Sequence, residues 1–251
     1  MAIARLGRMR AGFSRDTSGV NAPSCTAMLA LPLLYRDDRL AAFSKPSGLL
    51  VHRGWGNDAI VALDLAREAL GAYVYPVHRL DRATSGVLLF ALDSECAAAI
   101  SALLERGAVA KRYLALVRGI PPSSGRIDHP IPRREGGPRV PAVTSYRRLY
   151  TFERWSLVEC LPETGRLHQI HRHLKHISHP VIGDANYGKG ALNRLYRDQF
   201  GLARLALHAA ELAFVDPWTG APVRIAAPLP DDLRAPLERI GVPAAAWALR
   251  E

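Results

Sequence analysis

The seven residues Gly86 to Leu92, GVLLFAL, carry no polar side chain and follow directly on a polar turn, HRLDRATS. A short apolar run bounded by turn residues reads as a buried strand. What precedes the run is as informative. Asp81 stands between Arg79 and Arg82, with the small residues Thr84, Ser85 and Gly86 after it, so a carboxylate sits on a loop at the mouth of a strand, where the sheet holds side chains rigidly. A neighbouring guanidinium favours the ionised carboxylate, which suits a nucleophile or an electrostatic stabiliser better than a general acid. The competing reading is an ordinary turn in which Asp81 bonds its own backbone.

Around this strand, extended and helical patterns alternate irregularly. RLAAFSKP (39–46) reads as extended, and DAIVALDLAREAL (58–70) as a helix with Asp58 as its N-cap. AYVYPVHRL (72–80) reads as a second buried strand. DSECAAAISALLERG (93–107) is a helix begun by Asp93 or Ser94 and stopped by Gly107, and VAKRYLALVRG (109–119) is a strand. Residues 120–142 are rich in Pro, Gly and Arg and predict a basic surface excursion, followed by the strands VTSYRRLY (143–150) and WSLVECL (155–161). Strands cluster with few strand–helix–strand alternations, so the expected class is α+β, a mixed, largely antiparallel sheet with packed helices. Residues 1–30 hold Arg5, Arg8, Arg10 and Arg15 without sustained periodicity and predict a disordered tail. An over-extended start ahead of Met28 and an Arg-rich transit peptide both fit it. Residues 31–251 are then the folded part of the chain, long enough to bury a substantial core.

Charge narrows the class of partner. With 33 Lys+Arg against 23 Asp+Glu, the formal net charge is +10, a field that attracts polyanions, nucleic acid first among them. An Ala- and Arg-rich composition can also be genome-wide, so position matters more than total. The chain lacks the run of about 18 apolar residues that a membrane span needs, and the expected compartment is the cytoplasm. Cys25, Cys96 and Cys160 have neither disulfide-framework nor zinc-site spacing and read as small buried hydrophobes.

A second polar segment, PETGRLHQIHRHLKHISHPVIGDANYG (162–188), separates into roles. Wound as a helix from Arg166, it places Leu167, Ile170, Leu174 and Ile177 on one apolar stripe and His168, Arg172 and Lys175 on a basic face. Arg166, at the helix start, can reach a carboxylate or phosphate bidentately. Five histidines fall here, His168, His171, His173, His176 and His179. They point in several directions around the helix with no completing ligand set, so no metal is expected, and a basic surface with one or two structural imidazoles is. In AKRYLALVRG, strand alternation puts Tyr113 on the face of Lys111 and Ala115, opposite Arg112. A strand tyrosine is often plain core, but one beside a Lys-Arg pair also suits base stacking.

These pieces, in this order, resemble the RluA-type family of pseudouridine synthases. HRLDRATSG is similar to the family's catalytic motif, KRY (111–113) to its second and ETGRLHQI (163–170) to its third. The similarity continues through KPSGLLVH (45–52), HPVIGDANYG (179–188) and LALHAAELAFVDPWTG (205–220). VHRGW, PAVTSYRRL and LNRLYRDQFGLARLALHAAEL look most like the branch that modifies uridine 65 in the T-stem of tRNA. No S4 RNA-binding domain precedes the catalytic region, in keeping with that branch.

The resemblance implies the pseudouridine synthase fold and the isomerisation of a uridine in RNA, with no metal or cofactor and no obligatory protein partner, the chain acting as a monomer. It makes Asp81 the nucleophile, paired to Arg166 by a salt bridge, with Tyr113 stacking on the target base and serving as a proton acceptor. Arg79 would assist base flipping, and Arg82, His168, Gln169, Arg172, Lys175, Lys45 and His52 would contact RNA. The chain departs from the family pattern once in these motifs: where HQIR is usual, His171 follows Ile170 and the arginine comes at 172. The alternatives to a tRNA substrate are ribosomal RNA and, from another class, a non-catalytic RNA-binding protein or chaperone.

Overall fold

The apolar run owes its composition to cover on both faces. Strand β4 (Ser85–Ala91) is buried at every position. Its Val87, Leu89 and Ala91 pack against helix α2 (Ser94–Glu105), while Leu88 and Phe90 pack against helix α1 (Ala62–Leu70). The neighbouring β2 (Leu40–Lys45) alternates in register, Leu40 and Ala42 toward α2, Ala41 and Phe43 toward α1. A strand between two helices has no polar face to offer water.

The computed structural model describes residues 31–53, 58–133 and 136–248. Beyond β2 and β4, its strands are β1 (Leu33–Arg36), β3 (Tyr75–Pro76), β5 (Ala110–Arg118), β6 (Ser124–Asp128), β7 (Ile131–Pro132), β8 (Arg139–Val140), β9 (Val143–Phe152), β10 (Trp155–Pro162), β11 (Leu207–Val215) and β12 (Pro222–Ala226). The further helices are α3 (Gln169–His176), α4 (Gly190–Phe200) and α5 (Asp231–Ile240). Ten strands form one sheet in the order β1-β2-β4-β11-β5-β10-β9-β6, with β12 added on β11 and β3 on β4. Its pairings are antiparallel except β4 with β11. Mixed, mostly antiparallel and helix-packed, this is the α+β architecture the pattern predicts. The β5–β10–β9 half carries its own core, in which Leu114, Leu116, Val158 and Cys160 meet Ile170 and Leu174 of α3, Tyr196 of α4, and Leu233 and Leu237 of α5. Among the described residues no helix is long and apolar enough to cross a membrane.

Gly86 explains how the one parallel pairing closes. It adopts φ +119°, and a Cβ there would land on the backbone carbonyl of Ala209, its partner on β11. The glycine lets β11 come up against β4 just after the Asp81 loop.

Several sequence expectations are corrected. The helix expected from 58 begins at Ala62 with Val61 at the N-cap; Asp58 instead binds Arg82 at 2.6 Å. The strand expected over 72–80 shrinks to Tyr75–Pro76, because proline cannot extend the ladder. The excursion 120–142 is partly built in: β6 pairs β9, and Ile127, Ile131 and Ala142 are buried. Asp93 does cap α2, accepting from the Cys96 N–H at 2.7 Å. The tail expected over 1–30 lies outside the described residues.

Candidate active site

The loop carrying Asp81 is gripped from three sides. Its own turn closes through Thr84 N–H to the Asp81 carbonyl at 3.0 Å. The 45–48 segment holds its outer backbone: Lys45 Nζ donates to the Arg82 carbonyl at 3.1 Å, Gly48 N–H to the same carbonyl at 2.8 Å, and Ser47 Oγ to Ala83 at 2.8 Å. Beneath the loop, His78 Nε2 accepts the Leu89 N–H at 3.0 Å. That imidazole is neutral, since burial and the charge of Lys111 push it down to about 4. Asp81 is therefore presented half-buried on a fixed backbone.

Its spatial neighbours are not its sequence neighbours. Arg82 turns away to Asp58. The expected ion pair with Arg166 is not formed: α3 starts three residues later than the pattern suggests, Arg166 is left on an exposed turn, and its Nε approaches the Pro141 carbonyl at 3.4 Å. Two imidazoles face the Asp81 carboxylate instead, His168 Nε2 and His171 Nε2, each at 3.8 Å.

The remaining walls come from β5, the 162–167 segment and α3. They enclose, with the Asp81 loop, a cavity of 290 Å3 lined by Arg79, Asp81, Lys111, Tyr113, Arg166 and His171 among others. Strand alternation holds as expected: Lys111 and Tyr113 face the cavity, while Arg112 is buried on the opposite face against Glu159 at 2.7 Å. Burial and the Asp81 charge both push the Tyr113 phenol up, so it stays protonated. A stacking ring with a hydroxyl donor fits that state.

Two expected RNA contacts are corrected by burial. Lys45 is fully buried, and its three N–H donors meet the carbonyls of Pro46, Leu49 and Arg82; it anchors the loop and is closed to phosphate. Gln169 accepts from Thr164 Oγ1 and the Arg166 N–H and donates to the Val143 carbonyl and Thr144 Oγ1, at 2.7 to 3.0 Å. With every donor and acceptor engaged, it ties the Arg166 turn to β9. His52 is exposed and lies outside the cavity lining.

The five histidines of the second segment do not converge on one point. His173 is fully buried between Thr144 Oγ1 and the His129 carbonyl, the structural imidazole the pattern anticipates. His179 bonds the Arg118 carbonyl, and His176 stacks on His129 at 3.7 Å. His168 meets Tyr187 and His171 meets Asp184. Of the expected apolar stripe, Ile170 and Leu174 are buried, whereas Leu167 is exposed ahead of the helix. The basic face holds: His168, Arg172 and Lys175 line a second, open cleft with His129, Arg139 and Tyr187, and Leu167 borders both cavities. The sequence reading missed His78, Lys111 and Asp184 as site residues. All three sit inside quoted motifs, and Asp184 follows a glycine, Gly183, whose φ of +80° lets the chain pass close against the Arg204 carbonyl.

Residues 39–176, more than half of the chain, match the RNA pseudouridylate synthase family. The tRNA pseudouridine synthase C of Haemophilus ducreyi is 42% identical over 79% of this chain and 91% of that protein, and that of Vibrio cholerae 37% identical over 84% and 96%. Among solved structures, human RNA pseudouridylate synthase domain containing 4 superposes with a TM-score of 0.69 at 30% identity, covering 84% of this chain and 93% of that one. The matched span contains the Asp81 loop, Tyr113 and Arg166 in the order and spacing that folding brings to one cavity, and on this agreement the chain belongs to the RluA-type RNA pseudouridylate synthases, which are isomerases.

Proposed function

We propose that this pseudouridine synthase acts on tRNA, at uridine 65 of the T-stem, with Asp81 as its nucleophile. The observation that carries the reading is the convergence of Asp81, Tyr113 and Arg166, from three distant segments, on one cavity beside a basic cleft. A uridine in a stem has to leave its stack before a carboxylate can reach it. A cavity of 290 Å3 is suited to one extruded nucleoside, and Tyr113 offers it an aromatic face. Asp81 attacks the ribose or the uracil ring, the C1′–N1 bond breaks, the base turns, C1′ rejoins through C5, and the bond from Asp81 to the substrate breaks to return the free carboxylate. The C5 proton is lost and N1 gains one, so no redox step is involved. Arg79 and Arg166, both exposed at the rim, are placed for phosphates and for the gap that the base leaves. The choice of tRNA rests on the curated relatives named for it.

The test is an unmodified tRNA transcript incubated with the protein alone. One T-stem uridine is converted by the native chain, while Asp81→Asn lowers turnover by at least about a thousandfold with RNA affinity held within a few-fold. Conversion of a ribosomal RNA fragment with every tRNA untouched would move the substrate but keep the chemistry.

A further inference from the structure

His171 is held as though its far nitrogen had work to do. Its Nδ1–H donates to Asp184 Oδ2 at 2.7 Å. Asp184 is itself buried and fixed, because its Oδ1 accepts the backbone N–H groups of Asn186 and Tyr187 at 2.9 Å each. Burial opposes the Asp184 charge, but the His171 bond and these two N–H groups outweigh it and hold the carboxyl below its ordinary value. Nε2 therefore points the other way, 3.8 Å from Asp81 Oδ2. It is buried and has no hydrogen-bond partner among the described residues. Leaving such an atom unpaired costs about 1–3 kcal/mol, and a polar orphan on a cavity wall calls for an explanation.

The two imidazoles beside Asp81 differ in what they can carry. Tyr187 Oη accepts from Arg172 Nε at 2.9 Å and lies 3.1 Å from His168 Nδ1. Burial, only partly opposed by Asp81, keeps the His168 ring below its ordinary value and favours its neutral form. His171 instead lies between two carboxylates, each of which favours an imidazolium. The other groups facing it are His168, at 5.4 Å between ring centroids, and Tyr187 at 5.9 Å. Across the cavity stand Lys111 and Tyr113 from β5, with the exposed Arg79, Arg133 and Arg166 at the rim.

We propose that His171, clamped by Asp184, is a positioning residue that supplies the counter-charge of Asp81, holding the nucleophile ionised and aimed into the cavity. The proposal rests on the reading of Asp81 as nucleophile. It makes the chain's departure from HQIR a change of kind, a titratable cation where the resemblance leads one to expect a permanent one. Turnover then depends on this ring being present and held, while RNA affinity does not.

Single-turnover rates on the tRNA transcript at saturating enzyme, measured alongside RNA affinity, test it. His171→Gln lowers turnover roughly a hundredfold with little change in affinity. His171→Arg, which sets a cation beside Asp81 again, recovers most of the native rate, and Asp184→Asn, which loosens the clamp, lowers the rate by a smaller factor than His171→Gln does. If the Gln variant fails to fold, the Arg and Asn variants carry the test. A native rate in His171→Gln or in Asp184→Asn overturns the proposal, as does an Arg variant no faster than the Gln one. Asp81→Asn separates the two levels: if it is active, the nucleophile assignment fails; if it is inactive while His171→Gln turns over at the native rate, only the present proposal fails.

Discussion

His78 and His208 are tied to the same strand and make the same demand on pH. His78 Nε2 accepts from the Leu89 N–H, while His208 lies between Ser85 Oγ at 2.8 Å and the Ala227 carbonyl at 3.1 Å. Burial pushes both down to about 4. Because their folded values lie below the ordinary histidine range, the unfolded chain binds more protons between about pH 4 and about pH 6.5. Their contribution is complete above that window and is lost as pH falls through it, by up to ~1.4 kcal/mol per pH unit for each ring. Denaturant midpoints should drop steadily from about pH 7 to about pH 5, and His208→Gln should flatten the profile by close to one proton. A flat native profile would show that these rings are not held neutral. Both histidines stand in segments that the sequence brings to notice, yet their role as acceptors and donors to backbone becomes visible only when β4 and β11 lie side by side.

At the scale of elements, the alternation of β5 was readable because a strand's two faces follow from its period of two. The start of α3 was not. His168 takes a left-handed conformation with φ 51° at the cap, which a periodic pattern does not register, and this three-residue delay takes Arg166 off the helix and away from Asp81. The junction of β4 with β11 is equally local in its requirement. Gly86→Ala would set a methyl group against the Ala209 carbonyl at a φ of +119°, and should destabilise the protein by about 3 kcal/mol. Turnover should fall as well, since the Asp81 loop ends at this pairing. Urea unfolding and single-turnover rates measure the two effects, and a variant with native stability would show that the strands can part without harm.

Over the whole molecule, the excess of positive charge becomes useful where it is gathered. Arg139, Arg172 and Lys175 line an open cleft of about 820 Å3 that meets the catalytic cavity at Leu167. A folded RNA arm laid there would release counterions in proportion to the phosphates it engages. Replacing the three residues with alanine should weaken binding at all salt concentrations and reduce the slope of log Kd against log salt by about 2 to 3, while the rate at saturating enzyme changes little. An unchanged slope would place the RNA on another face.

The sequence by itself determined the class of fold, the strand that carries the Asp81 loop, the face of β5 that bears Tyr113, and the family. Each of these is written in local periodicity or in contiguous motifs. The tertiary structure decided who stands next to whom. Arg82 belongs to Asp58, Lys45 and Gln169 turn their polar atoms inward, and the carboxylate of Asp81 faces His168 and His171 rather than Arg166. These partnerships join residues tens of positions apart. Periodicity reports which way a side chain leaves its own strand or helix, whereas a hydrogen bond or ion pair depends on distances of a few ångströms between elements, and those distances exist only once the sheet has closed.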